Sequence, residues 1–292
     1  EFPTIFWGAI KAGVVPIPIN TLLATDVYRT ILQDSRSSIL FVSEELLPSI
    51  LPATADCPDL RKIVVIGKAP KGTTSYNSFI DGATPMATID CCADEVAFWL
   101  YSSGSTGQPK GVRHVHSALR TTCDTYGAQV LKIREDDTVF SAAKLFFAYG
   151  LGNGLSFPMS VGATAILFNG RPTPDTISDV LGDMKPTIYC GVPTLYAAMI
   201  HKWDSEDGPP AAPLRTCISA GEALPAKVGL RWKELWGVDI LDGVGSTEML
   251  HIFLSNRSGD VEYGTSGIAV PGYETRLIDE DGTDLGPGGM GE

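Results

Sequence analysis

Nowhere in its 292 residues does this sequence run apolar for the roughly 18 residues that a membrane-crossing helix needs, because Gly, Pro or a charged residue interrupts every stretch. Basic residues are also scarce. The 22 Lys and Arg stand against 34 Asp and Glu, a net charge of −12. That balance excludes the broad basic surface on which a nucleic acid backbone or an anionic membrane would be held, so an anionic ligand must be gripped locally. The six cysteines (Cys57, Cys91, Cys92, Cys123, Cys190, Cys217) form no C-x-x-C pair. Neither a zinc site nor a disulfide framework is indicated, and reduced thiols in a cytoplasmic protein are expected. Internal repeats, low-complexity tracts and a recognisable leader are missing too, although Glu1 stands where an initiator methionine would and leaves open what precedes it.

Apolar residues make up 44% of the chain, enough to bury a large core as one sizeable α/β domain or two lobes. Short apolar runs predict buried strands over 14–18, 38–42, 62–66, 94–101, 112–116, 163–168, 187–190, 215–219 and 238–241. Helical spacing falls between them, near 25–34, 117–128, 175–184, 193–202 and 225–236. This alternation predicts an α/β fold of layered, mostly parallel β-sheets flanked by helices. From 258 onward Gly264, Gly267, Pro271, Gly272 and the Asp279-Glu-Asp-Gly282 turn punctuate short extended runs. An α/β core over 1–257 and the start of a small β-rich subdomain over 258–292 are the expected organisation.

The densest chemistry lies in Tyr101-Ser-Ser-Gly-Ser-Thr-Gly-Gln-Pro-Lys-Gly111. Gly104, Gly107 and Gly111 have no Cβ, so they permit positive φ and let backbone N–H groups form a concave nest around an anion. Ser102, Ser103, Ser105 and Thr106 add rotatable hydroxyls, and Lys110 adds a mobile point charge. Polyphosphate suits such a set. The loop is expected at a strand end, where open α/β sheets bind ligands. It is not a P-loop, because Pro109 takes the place of that motif's second glycine and Gly111 the place of its hydroxyl. A flexible connector can share this composition; the preceding strand and the Pro-Lys-Gly ending set this loop apart.

Two more glycine-bearing strand ends follow. Ser219-Ala-Gly-Glu-Ala-Leu-Pro225 offers backbone against which a flat ring can lie, or it is a helix entry with Gly221 in the turn and Pro225 in the first helical turn. In Asp242-Gly-Val-Gly-Ser-Thr-Glu248 the Thr247 hydroxyl suits a phosphate oxygen, and Glu248 suits a hard cation such as Mg²⁺ bound to phosphates. A helix cap with an acidic first turn is the alternative there. Lys144-Leu-Phe-Phe-Ala-Tyr-Gly-Leu-Gly-Asn153 interleaves aromatics with Ala148 and glycines, which makes either a slot for a planar apolar group or simple core. His251, three residues past Glu248, can orient a substrate carboxylate or be structural. His114 and His116 alternate on one strand face but lack a third metal ligand.

Taken in order, the 101–111 loop, Ala220-Gly-Glu222 and Gly245-Ser-Thr-Glu248 resemble the signature motifs of the adenylate-forming (AMP-binding) superfamily. Phe6-Trp-Gly-Ala-Ile-Lys-Ala-Gly-Val-Val-Pro16 also looks like that family, so the likeness runs along essentially the whole chain. Within the superfamily, Phe147-Ala-Tyr-Gly-Leu-Gly and Met249-Leu-His-Ile252 are most similar to benzoate and 4-hydroxybenzoate CoA ligases. The resemblance implies the core of that superfamily's N-terminal domain and a two-step reaction. A carboxylate attacks the α-phosphorus of ATP to give acyl-adenylate and pyrophosphate, and the thiol of coenzyme A then displaces AMP. It implies ATP, Mg²⁺ and an aromatic carboxylate as ligands.

The same resemblance implies a role for each matching residue. Ser102, Ser103, Gly104, Ser105, Thr106, Gly107 and Lys110 would hold the β- and γ-phosphates, Thr247 would bond the α-phosphate, and Glu248 would ligate Mg²⁺. Ala220, Gly221, Glu222, Asp242, Gly243, Val244, Gly245 and Ser246 would line the nucleotide pocket. Ala148, Tyr149, Gly245, His251 and Ile252 would enclose the aryl ring and its carboxylate. The chain stops before the superfamily's ribose-binding aspartate, hinge and small C-terminal domain, so a fragment with weak or no ligase activity of its own is expected. A carrier-protein adenylation domain would keep the ATP loop but needs an acidic residue for an amino group, and 146–151 supplies none. A nucleotide-binding module without catalysis is the remaining alternative. Ring substituents and oligomeric state, a homodimer included, stay open.

Overall fold

The computed structural model describes residues 1–103, 107–205, 208–286 and 288–290. By packing, the chain divides into two units, Glu1–Ala118 with Leu145–Ala148, and Leu119–Lys144 with Tyr149–Glu292.

In the first unit the helix Phe2–Lys11 buries Phe6, whose ring meets that of Phe98 edge-on at 5.4 Å. Strands β1 (Ile39–Ser43), β2 (Lys62–Ile66) and β3 (Thr74–Ser75) make a parallel sheet. The helix Thr25–Ser35 sets Tyr28 and Leu32, one turn apart, into a core with Leu40, Val42 and Val65. No strand forms over 14–18, contrary to expectation. Pro16 and Pro18 have no N–H to give a ladder, and the segment meets its neighbour through Trp99 N donating to Pro16 O at 3.1 Å.

Strands β4 (Val96–Ser103) and β5 (Pro109–Val115) form an antiparallel hairpin in which Tyr101 pairs with Gly111, Ser102 with Lys110 and Ser103 with Pro109. The strands that flank the glycine-rich loop are therefore partners in an antiparallel hairpin, not strands of a parallel sheet. Gly111 lets the two strands close: a Cβ there would meet Trp99 Cε3 at 3.0 Å and Tyr101 Cζ at 3.2 Å.

The second unit is built on β6 (Thr138–Ser141), β7 (Thr164–Ile166), β8 (Ile188–Gly191), β9 (Thr216–Ser219), β10 (Ile240–Gly245), β11 (Ile252–Ser255) and β12 (Ile268–Ala269). They lie in the order β12-β11-β10-β9-β8-β6-β7; the first two pairings are antiparallel and the remaining four parallel. Tyr189, Cys217 and Ile240 pack with Trp203 and Trp232 of the helices Pro193–Asp204 and Ala226–Trp236. Ile188, Cys190, Ile218 and Leu241 face a second core with Tyr126 and Phe157. Covered on both faces, these strands are apolar at successive positions rather than at alternate ones.

At the amino ends of β6, β8 and β9, Asp137 pairs with Arg215 and accepts from the Thr187 hydroxyl at 2.7 Å. Burial alone would push the Asp137 carboxyl up, but Arg215, Thr187 and the Arg134 amide hold it below the usual range. That end of the sheet is closed by structure. At the other end the chain leaves β6 for β7 on one side and returns to β8 on the opposite side, so the topological switch lies at the carboxyl ends of β6 and β8. After 257 the described residues are mostly turns, with β12 and an isolated Ile278–Asp284 bridge. Buried Asn256 ties this stretch to the sheet: its Oδ1 accepts Glu262 N at 2.9 Å, and its Nδ2 donates to Thr265 O at 2.8 Å.

Candidate active site

Strand β9 hands over to buried Ala220, then to Gly221 at φ 96° and exposed Glu222. Among the described residues nothing lies within 4 Å of a Cβ built on Gly221, so this glycine serves its backbone angle and not a close approach. Asp242, buried in β10, ties this loop to its own, since its Oδ2 accepts Leu224 N at 3.3 Å. Burial pushes the Asp242 carboxyl above its ordinary value, against the opposing pull of the Leu224 amide, the Ser219 hydroxyl and the Gly243 amide. Asp242 Oδ1 and Ser219 Oγ make no hydrogen bond of ordinary distance and angle among the described residues.

Two glycines of β10 allow β11 to run close beside it. A Cβ on Gly243 would stand 2.7 Å from Leu254 O, and one on Gly245 2.7 Å from His251 O; the pairing register shifts between Val244 and Gly245. Between the strands, Ser246 to Leu250 form a tight turn and not the capped helix start that was the alternative. Ser246 Oγ accepts Met249 N at 3.1 Å, and Leu250 N donates to Thr247 O at 3.1 Å. Leu250 sits at φ 64°, a strained angle for leucine. The turn leaves Thr247 half-buried and Glu248 exposed, then returns His251 to the interior. Glu248 has no ion-pair partner among the described residues, where no three His, Cys, Asp or Glu side chains gather as a metal site. A hard cation here would be held by Glu248 together with ligand and water oxygens, which is how phosphate-bound Mg²⁺ is usually coordinated.

His251 is 2% exposed and lies among three rings, Phe157 at 4.6 Å, Tyr126 at 4.7 Å and Tyr149 at 5.8 Å. Burial pulls its pKa down to about 3, with the Tyr149 backbone acting in the opposite sense, so the imidazole is neutral. Neither ring nitrogen has a hydrogen bond of normal geometry among the described residues. Gly152 makes the room: a Cβ there would stand 2.5 Å from His251 Cδ2. The Tyr149 hydroxyl points at Gly191 O (3.0 Å) and Ile218 O (3.1 Å), carbonyls at or near the carboxyl ends of β8 and β9. With its polar end so engaged, Tyr149 presents a ring. Ile252 is buried at the start of β11. Ala148 opens the helix Ala148–Leu151 and packs with the first unit, as do Phe146 and exposed Phe147, whose rings lie 4.6 Å apart. Tyr126 and Phe157, which wall His251, were not anticipated; long-range packing brings them there, and only their aromatic type could have hinted at it.

On the first unit's hairpin, half-buried Ser102 and exposed Lys110 are cross-strand partners, and Gly107 has φ 79°. Gly104, Ser105 and Thr106 lie outside the described residues, as does the side chain of Ser103. Tyr101 Oη donates to Asp34 Oδ2 at 2.5 Å, joining the hairpin to the helix Thr25–Ser35. His114 is buried and stacks on Phe98 at 4.9 Å, whereas His116 begins the next helix, so the two do not form a metal pair. The second unit thus brings Asp242 to the loop after β9, Gly245 to His251 and Ile252, and His251 to Tyr149.

Residues 1–292 match a family described as AMP-binding enzyme. The chain is 54% identical, over 99% of its length, to a benzoate–CoA ligase of Thauera aromatica, and 51% identical, over 100%, to a 4-hydroxybenzoate–CoA/benzoate–CoA ligase of Rhodopseudomonas palustris. It covers 55% and 54% of those proteins, so it spans about half the length of the curated relatives it matches. Among solved structures, a benzoate CoA ligase from Burkholderia xenovorans superposes with a TM-score of 0.90 at 46% identity, covering 99% of this chain and 57% of that one. An anthranilate CoA ligase in complex with anthranoyl-AMP gives 0.93 at 41% identity, covering 97% and 55%.

Proposed function

This chain belongs to the AMP-binding enzyme family, and from that premise we propose that it is the core of an ATP-dependent, AMP-forming acid–CoA ligase acting on a benzoate-type aromatic carboxylate. One carboxylate oxygen of the acid attacks the α-phosphorus, the bond to the bridging oxygen breaks, and pyrophosphate leaves. The sulfur of coenzyme A then attacks the acyl carbon, its proton passing to solvent, and AMP departs with the bonding pair. The protein's contribution is positioning and charge neutralisation. Ser102, Ser103, Gly104, Ser105, Thr106, Gly107 and Lys110 hold the β- and γ-phosphates, and Thr247 holds the α-phosphate. Unpaired and exposed, Glu248 suits Mg²⁺, which neutralises phosphate charge when bound. Ala220, Gly221, Glu222, Asp242, Gly243, Val244, Gly245 and Ser246 receive the rest of the nucleotide, and Ala148, Tyr149, Gly245, His251 and Ile252 receive the acid. A cytoplasmic location and a β-rich subdomain beginning at 258 belong to the same proposal.

The observation that carries the aryl half is the neutral, buried His251 framed by rings. None of Tyr126, Tyr149, Phe157, His251 and Ile252 carries a negative charge, so this wall suits a flat apolar group. Acid-dependent ATP–pyrophosphate exchange by the full-length protein tests the reading. Exchange with benzoate supports it; exchange with amino acids, or nucleotide binding without any exchange, would replace it.

A further inference from the structure

The chain leaves the second unit after Lys144, passes through Leu145–Ala148, which pack with the first unit, and re-enters at Tyr149. Each end of this excursion is anchored inside the second unit by a polar side chain on backbone carbonyls. Tyr149 uses its hydroxyl on Gly191 O and Ile218 O. Lys144 uses its ammonium on Phe168 O and Gly170 O, at 2.6 Å each, and lies 5.0 Å from the centroid of the Phe168 ring. Gly150 completes the closure: a Cβ there would stand 2.0 Å from Lys144 O, so the returning chain passes directly against the point of departure.

Lys144 is half-buried and has no carboxylate partner among the described residues. Desolvating an ammonium without a counter-ion is costly, and an apolar side chain of similar length would fill the same space without that cost. What the ammonium adds is direction: two charge-assisted bonds to carbonyls two residues apart fix where the chain departs, and Phe168 in turn packs edge-on to Phe140 of β6 at 6.1 Å. We propose that Lys144 is a positioning residue that pins the chain's point of departure to the loop after β7 and, through the close approach of Gly150 to Lys144 O, sets the placement of Tyr149. Its functional half rests on the aryl-acid reading above; its structural half does not.

The test uses the full-length protein with Lys144→Met, Lys144→Arg and Phe168→Leu. In Lys144→Met, amide hydrogen exchange over 145–151 is expected to speed up about tenfold or more, with the helix Pro193–Asp204 unchanged. KM for benzoate should rise about tenfold and discrimination among ring-substituted benzoates should weaken, while KM for ATP stays put. Lys144→Arg keeps donors on the carbonyls and should restore most of both signals. Phe168→Leu removes the ring and leaves the carbonyls, so it should change them far less; should Lys144→Met fail to fold, a Phe168→Leu effect larger than that of Lys144→Arg overturns the proposal. Unchanged exchange over 145–151 in Lys144→Met overturns it as well, and so does a rise in both KM values together without local loosening. If the unmodified protein shows no benzoate-dependent exchange of pyrophosphate, the catalytic reading fails, and hydrogen exchange still decides whether Lys144 is a pin.

Discussion

At Gly245 a hydrogen is needed where any other residue has a carbon. The obstructing atom is a backbone carbonyl oxygen, 2.7 Å from the would-be Cβ, and it cannot rotate away as a flexible side chain could. Gly245→Ala should therefore cost roughly 1–3 kcal/mol of stability, as overpacked sites do, and should displace His251 and weaken acid binding more than ATP binding. Denaturant midpoints and the two KM values measure this; an alanine variant with both KM values unchanged would count against a role for the β10–β11 contact in the acid site. His251 makes a second prediction through pH. Its folded pKa of about 3 lies below its ordinary 6.5, so its contribution to stability is complete above pH 6.5 and is lost as pH falls towards 3. Linkage from this one group should remove about 2 kcal/mol between roughly pH 6 and pH 4. His251→Phe keeps a flat ring without the titration, so its stability should fall less steeply over that window, and parallel curves for the two proteins would show that His251 is not held neutral by burial.

The β4–β5 hairpin gives the clearest separation of binding from folding among the elements. Lys110 is exposed opposite Ser102, so Lys110→Ala should leave stability within about 0.5 kcal/mol, as surface changes do, while raising KM for ATP by about tenfold or more. Thermal unfolding alongside ATP titration checks both halves, and an unaltered ATP response would remove the lysine from the phosphate site. Elements of this kind were unevenly legible in the sequence. The helices Pro174–Met184, Pro193–Asp204 and Ala226–Trp236 are marked by their own boundaries: the Thr173 capping box with Pro174, Pro193 at the helix start, and Gly237 in the left-handed conformation at the end. Strands β6 and β11 were missed because their pairing depends on residues elsewhere along the chain. Apolarity over 14–18 misled for the opposite reason, because prolines supply bulk without donors. The glycine and hydroxyl loops stand out in the sequence because their composition is local. The ring cage around His251 was not, because Tyr126 and Phe157 reach it from separate helical segments.

For the molecule as a whole, charge bears on how the nucleotide of the proposed reaction would arrive. With a net charge of −12 the chain would repel ATP at long range, while Lys110, in the role proposed for it, would attract ATP only at short range. Ionic strength separates the two effects. At about 10 mM salt the Debye length is on the order of 30 Å, comparable with the span of a small domain, so an approaching nucleotide feels much of the chain's excess negative charge. At about 150 mM it shrinks to roughly 8 Å and only the groups near the site remain in view. The association rate of Mg²⁺-bound ATP with this chain should therefore rise over that range, the reverse of what a basic, phosphate-steering protein shows. Stopped-flow binding at several salt concentrations gives the sign directly. A rate that falls as salt is added would mean that local positive charge dominates even at long range, and that the acidic surface lies too far from the entry path to matter.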